Sequence, residues 1–123
     1  MEIRRRDKRF KEKNEVIIQY AADRRKINSY IEINATTFDL SISGARILSK
    51  KSFSVDTVLR IQIDLKKSNQ VIKVDGKVKW VKRMSDEDFY EMGVEFQHDI
   101  SKTVLSLLRH LYGESRGIPS TVS

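Results

Sequence analysis

Thr57-Val58-Leu59-Arg60-Ile61-Gln62-Ile63-Asp64-Leu65 and Val71-Ile72-Lys73-Val74-Asp75-Gly76-Lys77-Val78-Lys79-Trp80-Val81 are two alternating runs separated by the polar segment Lys66 to Gln70. Successive strand side chains point to opposite faces, so the first run divides into Leu59, Ile61, Ile63 and Leu65 against Val58, Arg60, Gln62 and Asp64. Val58 is the one apolar residue on the polar face. The second run places Ile72, Val74, Gly76, Val78 and Trp80 at period two, and the segment between the runs reads as a hairpin turn. A glycine inside a strand marks a bulge or a barrel bend, and Gly76 is the expected place for one.

The same pattern extends in both directions. Glu15 to Ala21 is rich in β-branched and aromatic residues and reads as a strand that stops at the charged break Asp23-Arg24-Arg25-Lys26. Tyr30 to Leu40 is a second strand, closed by a turn at Ser41-Ile42-Ser43-Gly44, and Ala45 to Leu48 resumes strand-like sequence. After a turn at Ser85 to Asp88, Tyr90, Met92, Val94 and Phe96 form a last apolar face. Six or seven strands at this spacing, with no helix between them, predict an all-β antiparallel barrel. One helix follows. Ile100, Val104, Leu107, Leu108 and Leu111 fall at helical spacing, Asp99 or Ser101 can cap the start, and Gly113 sits where a helix stops. That helix is expected to close one end of the barrel or lie on its flank, with residues 113–123 as a disordered tail.

The 123 residues, 39% of them hydrophobic, suit one domain, and 33% charged residues do not outweigh apolar runs such as Val16-Ile17-Ile18. No apolar stretch reaches the roughly 18 residues of a membrane span, and Met1-Glu2-Ile3-Arg4-Arg5-Arg6 precedes no signal core, so a soluble cytoplasmic protein is expected. Zero cysteines and the separated His98 and His110 argue against thiolate zinc sites, thiol nucleophiles and a histidine metal cage. No metal, phosphate-loop, dinucleotide or hydrolase-elbow signature is present, so neither cofactor nor catalytic residue is expected. The net charge is +7, of which residues 1–13 supply +4. This division predicts a flexible basic arm over 1–13 and a barrel with helix over 14–112, and it suggests an anionic partner.

Arg5 and Arg9 form R-x-x-x-R, and Asp39-Leu40-Ser41-Ile42-Ser43-Gly44 is D-x-S-x-x-G at a strand end. In this order, with Gly44-Ala45-Arg46, Gly76-Lys77-Val78-Lys79-Trp80 and Gly93-Val94-Glu95-Phe96, they resemble the PilZ domain, the bacterial receptor family for cyclic di-GMP. The resemblance covers roughly residues 4 to 97. It implies a six-stranded antiparallel barrel whose arginine arm wraps over cyclic di-GMP at the barrel surface, with Arg4, Arg5, Arg9, Asp39, Ser41 and Gly44 as site residues. An arginine at position 4, just before the pair, resembles members that hold two ligands per chain. A stand-alone sensor of this kind also implies a downstream protein partner.

Residue chemistry agrees with that implication. Guanidinium forks onto phosphate or guanine O6 and N7 and stacks on purines, and a carboxylate such as Asp39 accepts from the guanine N1–H and 2-amino edge. Ser41 can donate or accept nearby, and Gly44 leaves room for close approach. Arg46 and Trp80 are secondary candidates: Arg46 faces either ligand or solvent, and Trp80 reads first as a barrel residue and second as a ligand platform. The alternative function is a small basic barrel binding single-stranded nucleic acid. It is disfavoured because Trp80, Tyr90 and Phe96 look committed to the core. A third reading, a domain serving only protein interaction, fits poorly with the retained arginines.

Overall fold

The computed structural model of the chain describes residues 8–21, 29–84, 88–97 and 101–113. Its strands are β1 (Phe10–Lys11), β2 (Glu15–Ala21), β3 (Tyr30–Leu40), β4 (Gly44–Ser49), β5 (Val58–Leu65), β6 (Gln70–Arg83) and β7 (Tyr90–Gln97). Helix α1 (Ser101–Leu108) runs on into a wider π turn over Arg109–Gly113. The strands pair antiparallel in the order β3-β2-β5-β6-β7-β4, and β4 pairs back onto β3, which closes a six-stranded barrel. The two-residue β1 also lies on β3, with Lys11 opposite Asp39.

The alternation of the opening hairpin holds. Leu59, Ile61, Ile63 and Leu65 are buried, while Val58 and Arg60 are exposed and Gln62 and Asp64 half-buried. Each such side chain contributes roughly 1.5–3 kcal/mol when removed from water, and Val16, Ile18, Leu40, Ile47, Val78, Met92 and Val94 join the same core. The turn between β5 and β6 is a single 3₁₀ turn, Lys66–Ser68, ended by Asn69 at φ 57° with its N–H on the Lys66 carbonyl. Asparagine tolerates that left-handed conformation better than most residues.

Three expectations change. Of the two readings of Gly76, a bulge or a barrel bend, the bulge falls elsewhere: Val78 pairs with Val94 and Trp80 with Gly93, so the extra residue is Lys79. Gly76 instead lies where a side chain would collide with Val94 and Ile61 Cδ1. The bulge at Lys79 reverses the phase of β6, so Val81 packs on the core and Trp80 turns outward at 40% exposure. Trp80 is therefore not a core residue, and Tyr90 is only half-buried, whereas Phe96 is buried as expected.

On α1, Leu107 is fully buried in the barrel core and Val104 is half-buried, but Leu108 is exposed. Phe53, in the loop after β4, joins the core and meets Tyr20 edge-on at 5.1 Å. The expected cap Asp99, Ile100, His98, the charged break at 23–26 and the tail after Gly113 lie outside the described residues.

Candidate functional site

Two bulges shape the outer surface around Asp39. Between Lys11↔Asp39 and Glu15↔Thr36 the N-terminal side carries one extra residue, and the buried Thr37 hydroxyl bridges this break. It accepts from the Asn14 backbone N–H at 2.8 Å and donates to the Glu12 carbonyl at 2.6 Å. The second bulge lies between Thr37↔Ile47 and Asp39↔Arg46, leaving Phe38 as the extra residue on β3. Bulges re-aim side chains. Here Phe38 comes outward and Asp39 is presented opposite Arg46.

Asp39 is nearly buried, and both its oxygens are taken. Arg9 NH1 donates to Oδ1 at 2.9 Å, across thirty positions of sequence, and Arg46 Nε donates to Oδ2 at 2.6 Å. Arg46 NH1 donates further to Glu91 Oε2 at 2.8 Å, and its guanidinium carbon sits 4.5 Å from the Phe38 ring centroid, within cation–π range. The hydrogen bond to Asp39, partly opposed by burial and helped by the charges of Asp39 and Glu91, raises the Arg46 pKa above its ordinary value. Arg46 is thus a permanent cation, held on one ring face and along its hydrogen-bonding edge, with its side chain still 31% exposed. Asp39, singled out in the sequence as an acceptor for a base edge, here organises two arginines.

The rest of D-x-S-x-x-G is a turn. Ser41 is fully buried, its N–H donates to the Gly44 carbonyl at 2.8 Å, and its hydroxyl accepts from the Gly44 N–H at 3.1 Å. A Cβ on Gly44 would overlap the Val94 carbonyl oxygen, so the close approach this glycine permits is that of β7 to β4. Trp80 and Arg46 flank Gly93 from β6 and β4, and the indole lies over Gly93, where any Cβ would strike its nitrogen. Phe38, Arg46, Gly93 and Trp80 therefore form one outward row beside Asp39. Arg4 and Arg5 lie outside the described residues.

The segment carrying Arg9 is seated on the barrel. Phe10 meets Tyr112 edge-on at 5.4 Å, and the Glu12 carboxylate contacts buried His110. Among the described residues the sheet accordingly begins at Phe10, four residues before the boundary expected at 14. Sequence reading passed over Glu91, Phe38, Asn14 and Thr37. The signal for Glu91 was slight: an acidic residue two places before Gly93 on a strand whose next inward residue is Met92.

Among solved structures, Bacillus subtilis MotI/DgrA, an inhibitor of motility, is similar at 18% identity and TM-score 0.69, over 93% of this chain and 52% of that one. Escherichia coli YcgR in complex with c-di-GMP gives 14% and 0.68, over 97% and 49%. The K. pneumonia MrkH complex with c-di-GMP gives 18% and 0.63, over 91% and 54%. The chain spans about half the length of these relatives. No curated protein sequence matches it. The PilZ domain model matches residues 3–114, a stretch that holds β1 through α1 and every residue of the Arg9, Asp39, Arg46 and Glu91 cluster, and the chain belongs to the PilZ domain family.

Proposed function

We propose that this chain is a non-catalytic receptor domain for cyclic di-GMP, acting in the cytoplasm, with its ligand on the outer face around Arg9, Asp39 and Arg46. The observation that carries the reading is the 2.9 Å bond from Arg9 to Asp39, which joins the second arginine of R-x-x-x-R to the first residue of D-x-S-x-x-G. Both arginines on Asp39 keep part of their surface open, with side chains 44% and 31% exposed, so each can fork onto phosphate or stack on a guanine while Asp39 fixes its direction. The Trp80 indole beside Arg46 offers a second apolar face to a purine. Arg4 and Arg5 would complete the site from the segment preceding Lys8, and ordering of that segment over the ligand would be the signal read by a downstream protein. The pair of adjacent platforms, Arg46 on Phe38 and Trp80 on Gly93, is in keeping with two ligands per chain.

Calorimetric titration with cyclic di-GMP, and with GTP, cyclic GMP and a short single-stranded oligonucleotide as competitors, tests the reading. Saturable binding of cyclic di-GMP that none of the three displaces is expected, at two ligands per chain for Arg4 as it stands and nearer one for Arg4→Ala. Displacement by the oligonucleotide would transfer the site to nucleic acid, and a one-to-one isotherm for the unaltered chain would remove the paired-ligand proposal.

A further inference from the structure

Glu91 is a buried acidic side chain of the candidate surface that the proposed ligand chemistry does not use. It lies on the outer face of β7, opposite Leu48 of β4 and Lys82 of β6, and is only 8% exposed. A carboxylate so enclosed requires a charged partner. Among the described residues its hydrogen-bond partner is Arg46, at 2.8 Å.

We infer that Glu91 is a positioning residue of this site, one that pins the NH1 side of the Arg46 guanidinium and so reserves Asp39 Oδ1 for Arg9; the inference rests on the cyclic di-GMP reading. Arginine ordinarily meets a carboxylate as a fork, two parallel N–H bonds onto its two oxygens. Arg46 does otherwise: Nε goes to Asp39 Oδ2 and NH1 to Glu91. One oxygen of Asp39 is thereby left, and Arg9 NH1 occupies it. The donor that pairs with Nε in a side-on fork is NH2, whereas NH1 lies on the opposite, Cδ side. Without an acceptor at 91 to hold NH1, the guanidinium is free to turn until Nε and NH2 both face Asp39, taking Oδ1 from Arg9. Phe38 restrains the plane of the guanidinium but supplies no acceptor to hold NH1 and fix its rotation within that plane. The arrangement therefore needs all three acidic and aromatic neighbours, and Glu91 is the one that decides how many donors Asp39 receives from Arg46.

The sign of the effect separates positioning from plain electrostatics. Cyclic di-GMP is a dianion, and removing a negative charge from its site should tighten binding if charge alone mattered. Positioning demands the opposite. Glu91→Leu is expected to weaken cyclic di-GMP binding about tenfold, the equivalent of one charge-assisted hydrogen bond, and Glu91→Gln, which keeps an acceptor, by less. In an Arg46→Ala background Glu91→Leu should add nothing further, whereas a merely structural loss would persist there. A second readout needs no ligand: in nitrogen-15 spectra of the unliganded protein, the Arg9 guanidinium protons should be slowed in exchange for the unaltered chain and for Glu91→Gln, and fast for Glu91→Leu. Failure of the unaltered chain to bind cyclic di-GMP would sink the ligand reading, and the Arg9 signal would then decide the role of Glu91 alone. Unchanged or tighter binding by Glu91→Leu, an equal penalty without Arg46, or an Arg9 signal indifferent to residue 91 would each overturn the inference.

Discussion

His110 Nε2 lies 2.5 Å from Glu12 Oε2, although the two residues are 98 positions apart. The other ring nitrogen is 2.7 Å from Ser68 Oγ, and Gln70 Nε2 donates to that same oxygen at 2.8 Å and to the Ser106 carbonyl at 3.1 Å. One buried imidazole thus ties together the last helical turn, the turn between β5 and β6, and the bridge between β1 and β2. His110 is a structural hub.

Replacing His110 by phenylalanine should cost about 1–3 kcal/mol, because the largely enclosed Glu12 carboxylate loses its partner, while the Ser68 hydroxyl keeps Gln70. Adding Glu12→Gln to that variant should return part of the loss by removing the stranded charge. Urea unfolding of the three proteins measures both terms, and a His110→Phe midpoint equal to that of the unaltered chain would contradict the assignment.

Two glycines should respond differently to alanine. At Gly44 the added Cβ meets the backbone carbonyl of Val94, so β4 and β7 must separate, and the cost should be about 1–3 kcal/mol. At Gly93 it meets the Trp80 indole, which already faces solvent and can swing away. Gly93→Ala should therefore keep most of its stability while shifting tryptophan fluorescence to the red. Equal destabilisation by both substitutions would show that Trp80 is as fixed as the strand backbone.

The barrel was legible in the sequence because antiparallel strands with one solvated face must alternate, and Leu59 to Leu65 does so without interruption. Alternation does not reveal where a ladder gains a residue. The insertion at Lys79 is invisible in a run that continues at period two on paper, so Trp80 was placed inside when the structure turns it out. The bulge at Phe38 was hidden for the same reason, and with it the orientation of Asp39. Local motifs found Arg9, Asp39 and Arg46 but not their pairing, since a salt bridge between residues 9 and 39 depends on β1 docking beside β3. Glu91 and His110 were beyond reach: each acquires its partner only when distant strands meet, and neither stands in a recognisable spacing.

Arg9 should be intolerant of lysine. Its NH1 bond to Asp39 fixes one edge of a planar group whose remaining donors and faces stay available, and a lysine ammonium can make the first contact but neither fork nor stack. Arg9→Ala and Arg9→Lys should both weaken cyclic di-GMP binding more than tenfold, equivalent to about 1.5–3 kcal/mol for a lost charge-assisted contact. Isothermal titration gives the comparison, and native affinity in Arg9→Lys would show that Arg9 acts as a bare charge.

Salt dependence separates a cyclic dinucleotide from a nucleic-acid strand. Within the described cluster the charges of Arg9 and Arg46 are matched by Asp39 and Glu91, so the site presents oriented donors rather than a field of unpaired cations. A single strand held through six phosphates would release counterions in proportion, giving a slope of log K against log salt near −4 at about −0.7 per phosphate. Cyclic di-GMP has two phosphates and no condensed counterion sheath, and part of its binding goes to guanine edges and faces, which salt screens little. Its slope should be shallower than about −1.5, the same factor applied to two phosphates. Titrations at several salt concentrations between low and twice physiological strength measure it directly. A slope as steep as that of the strand would mean that the basic residues act as a polyelectrolyte surface, and the paired arginines on Asp39 would then not be what holds the ligand.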